Sequence, residues 1–234
     1  MGDFLRIMLV VIMTLAVSCA TTSKKDIQQA QAHYKMGVSH LNGGNIQAAF
    51  VEFQTALNLD PDNKEIHNAL GTVYLSLADL TAAEEHFLKA TMIDHEYSDA
   101  YNNLCYVYYQ TRQFQRAVEN CKKALENPLY STPDKAFYNM ARAYYRLENY
   151  DAAIDAYQEA LKRFPRLYPA YYGLALCYNA KEEYGMAAEA LGEAMRLDPS
   201  IRGDRSKAEE VFMTRKNKGE NPADIRDLLE ILNY

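Results

Sequence analysis

Residues 64–97 read KEIHNALGTVYLSLADLTAAEEHFLKATMIDHEY, and the spacing of their small residues decides the fold. Gly71 is followed twelve positions later by Ala83 and seven further by Ala90. Leu70 precedes the first of these, and Phe87 lies four after the second. The same frame recurs on either side at a step of 34. Gly37, Gly71 and Cys105 keep that step, as do Ala141 and Ala175. The second small position runs Ala49, Ala83, Ala117, Ala153 and Ala187, and the third Ala56, Ala90, Ala124, Ala160 and Ala194. Large apolar residues keep time with them at Met36, Leu70, Leu104, Met140 and Leu174. So do Phe53, Phe87, Cys121, Tyr157 and Leu191, and Pro61, Pro165 and Pro199 close three of the units.

This pattern resembles the tetratricopeptide repeat, five times over residues 30–201 (30–63, 64–97, 98–131, 134–167 and 168–201). The repeat implies two antiparallel helices, A and B, per unit. Small residues let the two helices approach, and large ones fill the gaps between units. One unit cannot bury its apolar face alone, so the units stack. The expected fold is all-α, a right-handed superhelical solenoid. Turns are expected at "NGGN" (42–45) and around Glu148-Asn149. After 201 the period stops. "SKAEEVFMTR" puts Ala208, Val211 and Phe212 on one helical face. "NPADIRDLLEIL" offers Asn221 as a cap, Pro222 at the first helical position and an apolar face of Ile225, Leu228, Leu229 and Leu232. Residues 202–234 therefore read as capping helices over the open end of the solenoid. The alternative is a last helix that binds a partner.

The chain opens "MGDFLRIMLVVIMTLAVSC". The apolar run from Ile7 to Val17 is too short for a membrane span and suits a signal-peptide core. Its end, Ala16-Val17-Ser18-Cys19, resembles a bacterial lipobox. That resemblance implies a signal peptide over 1–18 and a lipid on Cys19, the new N-terminus. It also implies stable anchoring, because such a cysteine carries several acyl chains. The alternative is an ordinary cleaved signal. Ala20 stands where inner-membrane retention would place Asp, which points to the outer membrane. Residues 19–29 read as a polar tether.

The formal net charge is −6, with charges of both signs interspersed and no basic stripe. The electrostatic footprint of a nucleic-acid binder is missing. The five histidines (33, 40, 67, 86 and 95) have no metal-ligand spacing. His33 and His67 hold equivalent repeat positions and read as packing residues. No phosphate loop, nucleophile elbow or dinucleotide fingerprint is present. The expectation is a protein without catalysis, metal or cofactor.

Helix A residues are expected to face the inner wall of the solenoid. In repeats three and four that wall would present Asn102, Asn103, Tyr106, Tyr109, Lys135, Tyr138, Asn139, Arg142, Tyr145 and Arg146. Repeat five adds Tyr172 and Asn179. Asn103 and Asn139 share one repeat position and could hydrogen-bond a partner's backbone. Tyrosine supplies rigid apolar area with a polar tip, and Lys135 and Arg142 could meet a carboxylate. The competing reading is a hydrophilic groove whose tyrosines serve packing. Lys122 and Glu159 are expected on the convex side. Cys105 and Cys121 face each other in repeat three, either as a disulfide or as two buried thiols, and Cys177 is left over.

Between repeats three and four the step is 36, not 34. The extra residues fall in "NPLYSTPDKAFYNMA" (127–141), beside Pro128 and Pro133. Here the chain resembles lipoproteins of the PilF/PilW family, the type IV pilus pilotins. These also join a lipobox to a tetratricopeptide array, open a helix A with "NN" (here Asn102-Asn103) and carry "LY" near a proline between two repeats (here Leu129-Tyr130 and Pro133). The resemblance implies a lipid-anchored protein on the periplasmic face of the outer membrane. It would bind secretin subunits and promote their localisation and assembly. The other candidate is a periplasmic adaptor of the NlpI kind, which recruits cell-wall enzymes.

Overall fold

The computed structural model describes residues 23–219 and 221–234. The expected signal peptide (1–18) and lipidated Cys19 lie outside the described residues. Among the described residues there are twelve helices and no strand. None of these helices is long and apolar enough to cross a membrane. The chain divides into two compact units, up to Asp62 and from Asn63 onward.

The first unit is one helical hairpin, α1 (Lys24–Asn42) and α2 (Ile46–Leu59). Helix α1 starts at Lys24 and not at 30, so most of the stretch read as a tether is helical. The reason is a capping box. The Asp26 amide donates to Ser23 Oγ at 3.1 Å, and the Ser23 amide donates to the Asp26 carboxylate at 3.3 Å. Ala30, Ala49, Phe53 and Ala56 are buried. Gly37 is small for a physical reason: a Cβ there would stand 2.5 Å from Cε1 of Phe53.

The second unit holds four more hairpins. They are α3 (Lys64–Ser76) with α4 (Leu80–Ile93), α5 (Ser98–Gln110) with α6 (Phe114–Glu126), α7 (Pro133–Arg146) with α8 (Tyr150–Arg163), and α9 (Tyr168–Ala180) with α10 (Tyr184–Leu197). Within each hairpin the helices pack closely, and each second helix also packs on the first helix of the next hairpin. The first helices α3, α5, α7 and α9 touch one another in succession. They form one continuous wall, the inner wall of a solenoid.

The hairpin turns share one construction. In all five, an amide reaches back five residues to close the first helix: Asn45 to His40, Asp79 to Tyr74, Gln113 to Tyr108, Asn149 to Tyr144 and Glu183 to Tyr178, at 2.7 to 3.0 Å. The residue before each donor is left-handed, with φ between 59° and 76°. It is Gly44 in the first turn, then Ala78, Arg112, Glu148 and Glu182. This is the bond pattern that ends helices on a left-handed residue.

The contact made by Gly37 and Phe53 recurs as Gly71 and Phe87, where a Cβ would again meet Cε1 at 2.5 Å. In repeat three the equivalent residues are Cys105 and Cys121, joined as a disulfide with Cα atoms 5.3 Å apart. Cys177 is buried and free, and burial pushes its thiol up to about 12. The longer junction, residues 127–132, lies between α6 and α7; the others are 60–63, 94–97 and 164–167. It is a turn held by Asn127, which accepts from the Leu129 amide at 2.9 Å and from the Tyr130 amide at 3.1 Å. Tyr130 turns inward and is buried, while Leu129 is 89% exposed.

Two helices follow the last hairpin, α11 (Arg205–Asn217) and α12 (Pro222–Ile231). Ala208 and Phe212 of α11 are fully buried, as the helical face predicted. Helix α12 buries Ile225, Leu228 and Ile231 and packs on α9, α10 and α11. The pair covers the last hairpin. Helix α12 also crosses the inner wall as far as α7.

Candidate functional site

The residues expected on the inner wall meet in two adjoining hollows. Asn102, Asn103, Tyr106, Lys135 and Asn139 line one of about 240 Å³. Tyr109, Arg142, Tyr145 and Tyr172 line a larger one of about 650 Å³, and Tyr138 belongs to both. The helical period explains the meeting. Tyr138, Arg142 and Tyr145 fall at intervals of four and three on α7, so they share a face.

The asparagines bind inside the protein. The Asn103 amide donates to Asn68 Oδ1 at 2.9 Å, and the Asn139 amide donates to Asn102 Oδ1 at 3.1 Å. Each bond joins the first helices of two neighbouring repeats. One N–H of each amide is therefore engaged between repeats, where both amides were expected to serve a partner's backbone. The first helices lie close enough for their side chains to reach one another, and a half-buried amide takes the nearest acceptor. Each amide keeps its carbonyl oxygen and a second N–H.

The larger hollow has an end wall that the repeat pattern did not show. Asp224 and Ile225 of α12 line it, with Leu228 and, from α11, Arg215. Arg146 Nη1 donates to Asp224 at 3.0 Å, and Tyr145 Oη approaches the same carboxylate at 3.4 Å. Tyr172 Oη donates to Asp198 at 2.9 Å, its ring meeting Phe212 edge-on with centroids 5.7 Å apart. Burial, with the Asp198 charge beside it, pushes the Tyr172 hydroxyl well above its usual value, so it remains a donor. Burial works against the Asp198 charge. Hydrogen bonds from Ser200, Tyr172 and Arg215 outweigh it and hold the carboxyl below its usual range. Asn179 accepts from Tyr234 Oη at 2.9 Å. Tyr145, Arg146, Tyr172 and Asn179 are thus engaged by the C-terminal region or its connection. The apolar face of Ile225 and Leu228 was the sequence signal for burial, without a signal for where.

Tyr109, Tyr138 and Arg142 remain half-exposed in the hollow. The Arg142 guanidinium carbon stands 4.0 Å from the Tyr109 ring centroid and 5.6 Å from that of Tyr138. Tyr157, reaching in from α8, occupies the space that a side chain on Gly173 would need. A Cβ there would come within 2.1 Å of Cζ of Tyr157.

The histidines differ from the expectation of simple packing. His33 Nδ1 pairs with Glu52 at 2.7 Å, and at the equivalent positions of the next repeat His67 Nδ1 lies 3.0 Å from His86 Nδ1. Among the described residues no group of three or more His, Cys, Asp or Glu side chains is placed to hold a metal ion.

Four family models match the sequence, all of them tetratricopeptide repeats: residues 41–77, 64–97, 96–166 and 138–200. No curated protein sequence matches. Similar solved structures include PilW, described as a widely conserved type IV pilus biogenesis factor. It has a TM-score of 0.71 at 18% identity, over 85% of this chain and 90% of that one. PilF of Pseudomonas aeruginosa has a TM-score of 0.68 at 20% identity, over 87% and 98%. MamA has 0.62 at 21%, over 83% and 97%. At these identities the likeness is one of fold.

Proposed function

Because the chain carries a tetratricopeptide array that runs unbroken from 41 to 200, we propose that it is a non-catalytic scaffold that binds a protein partner on the inner wall of repeats three and four. The observation that carries this is the larger hollow. It presents exposed tyrosine area and Arg142, a combination that suits protein recognition.

We further propose that the protein is a type IV pilus biogenesis factor. It would be anchored by a lipid on Cys19 to the periplasmic face of the outer membrane and assist secretin subunits. The Ala-Val-Ser-Cys end of the apolar run supports the anchor. A disulfide in repeat three suits an oxidising envelope. The fold shared with PilF and PilW over most of both chains supports the pilus role.

Capture of secretin subunits from detergent-solubilised envelopes tests the partner. Tyr109→Ala and Tyr138→Ala should each weaken capture by roughly tenfold or more, whereas Lys122→Ala, on the exposed side of α6, should not. Capture of no secretin by the wild-type chain overturns the pilus reading. Cys19→Ser tests the anchor: a variant that still sediments with membranes through an alkaline wash rules out lipid attachment.

A further inference from the structure

Arg142 and Arg146 stand one turn apart on α7. Arg146 has its ligand: the Asp224 carboxylate, with Tyr109 Oη accepting from Nε at 3.3 Å and Tyr145 beside it. Asp224 is delivered from the first turn of α12, and the residue after it, Ile225, is buried. Arg142 has a similar setting and, among the described residues, no acidic ligand. Its guanidinium lies against Tyr109 and Tyr138. Among the described residues no carboxylate lies within 4.0 Å of it, and none of its contacts is with an acid.

We propose that Arg142 is the vacant counterpart of Arg146. It takes the side-chain carboxylate of an aspartate or glutamate in a partner's peptide segment, with a branched aliphatic residue next in sequence entering the hollow. This deepens the protein-binding reading and rests on it. Ring contacts hold the guanidinium in place, and a guanidinium's planar fork of N–H donors matches a carboxylate. Such a donor loses little side-chain freedom on binding. The filled twin shows the ligand chemistry this wall accepts: an acid followed by an isoleucine. The hollow, about 650 Å³, supplies room for that second side chain. A net charge of −6 sets the surroundings against polyanions, so a single acid on a peptide fits better than a nucleic acid.

The test titrates the full chain with the acetylated, amidated pentapeptide Pro-Ala-Asp-Ile-Arg, followed by calorimetry and NMR. Two further peptides carry asparagine in place of the aspartate, one amidated and one with a free C-terminal carboxylate. The aspartate peptide should bind the wild-type chain at least about tenfold more tightly than either asparagine peptide. Arg142→Gln should lose that preference, and Arg142→Lys should recover only part of it. Four results overturn the proposal: no saturation by the aspartate peptide at millimolar concentration, equal binding of the amidated asparagine peptide, equal binding of the free-carboxylate peptide, or an unchanged preference in Arg142→Gln. Failure here is distinct from failure of the protein-binding reading. If the wild-type chain captures its secretin and Arg142→Gln captures it equally, the scaffold stands and the carboxylate site falls.

Discussion

Asp224 holds Arg146 across 78 positions of sequence, with Nη1 3.0 Å from the carboxylate. The pair ties the last helix to the first helix of repeat four and closes one end of the inner-wall hollow. The side chains are 23% and 18% exposed, so the contact is neither a surface pair nor a dry one. Surface pairs are worth little, and breaking a buried pair is costly because a charge is left uncompensated.

Asp224→Asn should therefore cost about 2 kcal/mol in urea unfolding and speed hydrogen exchange in α12. A cost under about 0.5 kcal/mol would show that Ile225, Leu228 and Ile231 hold the helix without the charge pair.

The repeat-three disulfide occupies the place that Gly37–Phe53 and Gly71–Phe87 fill elsewhere. Its two cysteines are 16 apart in sequence, and closing a loop of that size stabilises by roughly 3 kcal/mol. Reduction should lower the unfolding free energy by about that amount. The double substitution Cys105→Gly with Cys121→Phe should regain part of it under reducing conditions. If the double variant is less stable than the reduced wild type, the repeat positions are not interchangeable.

His86 carries a pH signature. Burial first, and then the neighbouring His67, push its imidazole down to about 4 from an ordinary value near 6.5. Between those values the unfolded chain binds the proton more readily, so stability falls as pH drops through the window and is fully present above it. The thermal midpoint should fall between about pH 7 and about pH 4.5. His86→Asn, which copies Asn120 at the same position of the next repeat, should flatten that fall. Parallel curves for the two proteins would remove His86 as the cause.

The left-handed turn residues offer a gain. Glu148 and Glu182 sit at φ 59° and 62°, where a side chain is penalised and glycine is not. Each substitution to glycine should add about 0.5–1 kcal/mol, while Gly44→Ala should lose a similar amount. Both shifts are measurable by denaturant midpoint at constant m-value. No gain in either glutamate variant would mean that the unfolded-state entropy of glycine cancels the relief.

The 34-residue period determined the hairpins by itself. A small residue recurring at the repeat step, opposite a packing residue sixteen positions on, leaves one way for two helices to approach, and the structure realises it at Gly37 and Phe53 and at Gly71 and Phe87. The inner-wall residues were legible for the same reason, since helical spacing alone puts Tyr138, Arg142 and Tyr145 on one face. The partners of these residues were not legible. Ile225 and Leu228 announced that α12 is buried but carried nothing about the surface it covers, because hydrophobic burial is non-directional. The start of α1 turned on one local bond pattern, Ser23 with Asp26, inside a stretch whose composition reads as polar chain. The bonds from Asn103 to Asn68 and from Asn139 to Asn102 depend on how closely one repeat settles on the next. Only the tertiary structure decides that distance, because it is the joint result of every side chain in the interface. The same packing sets Arg142 against Tyr109 and Tyr138 while Arg146, one turn away, meets Asp224.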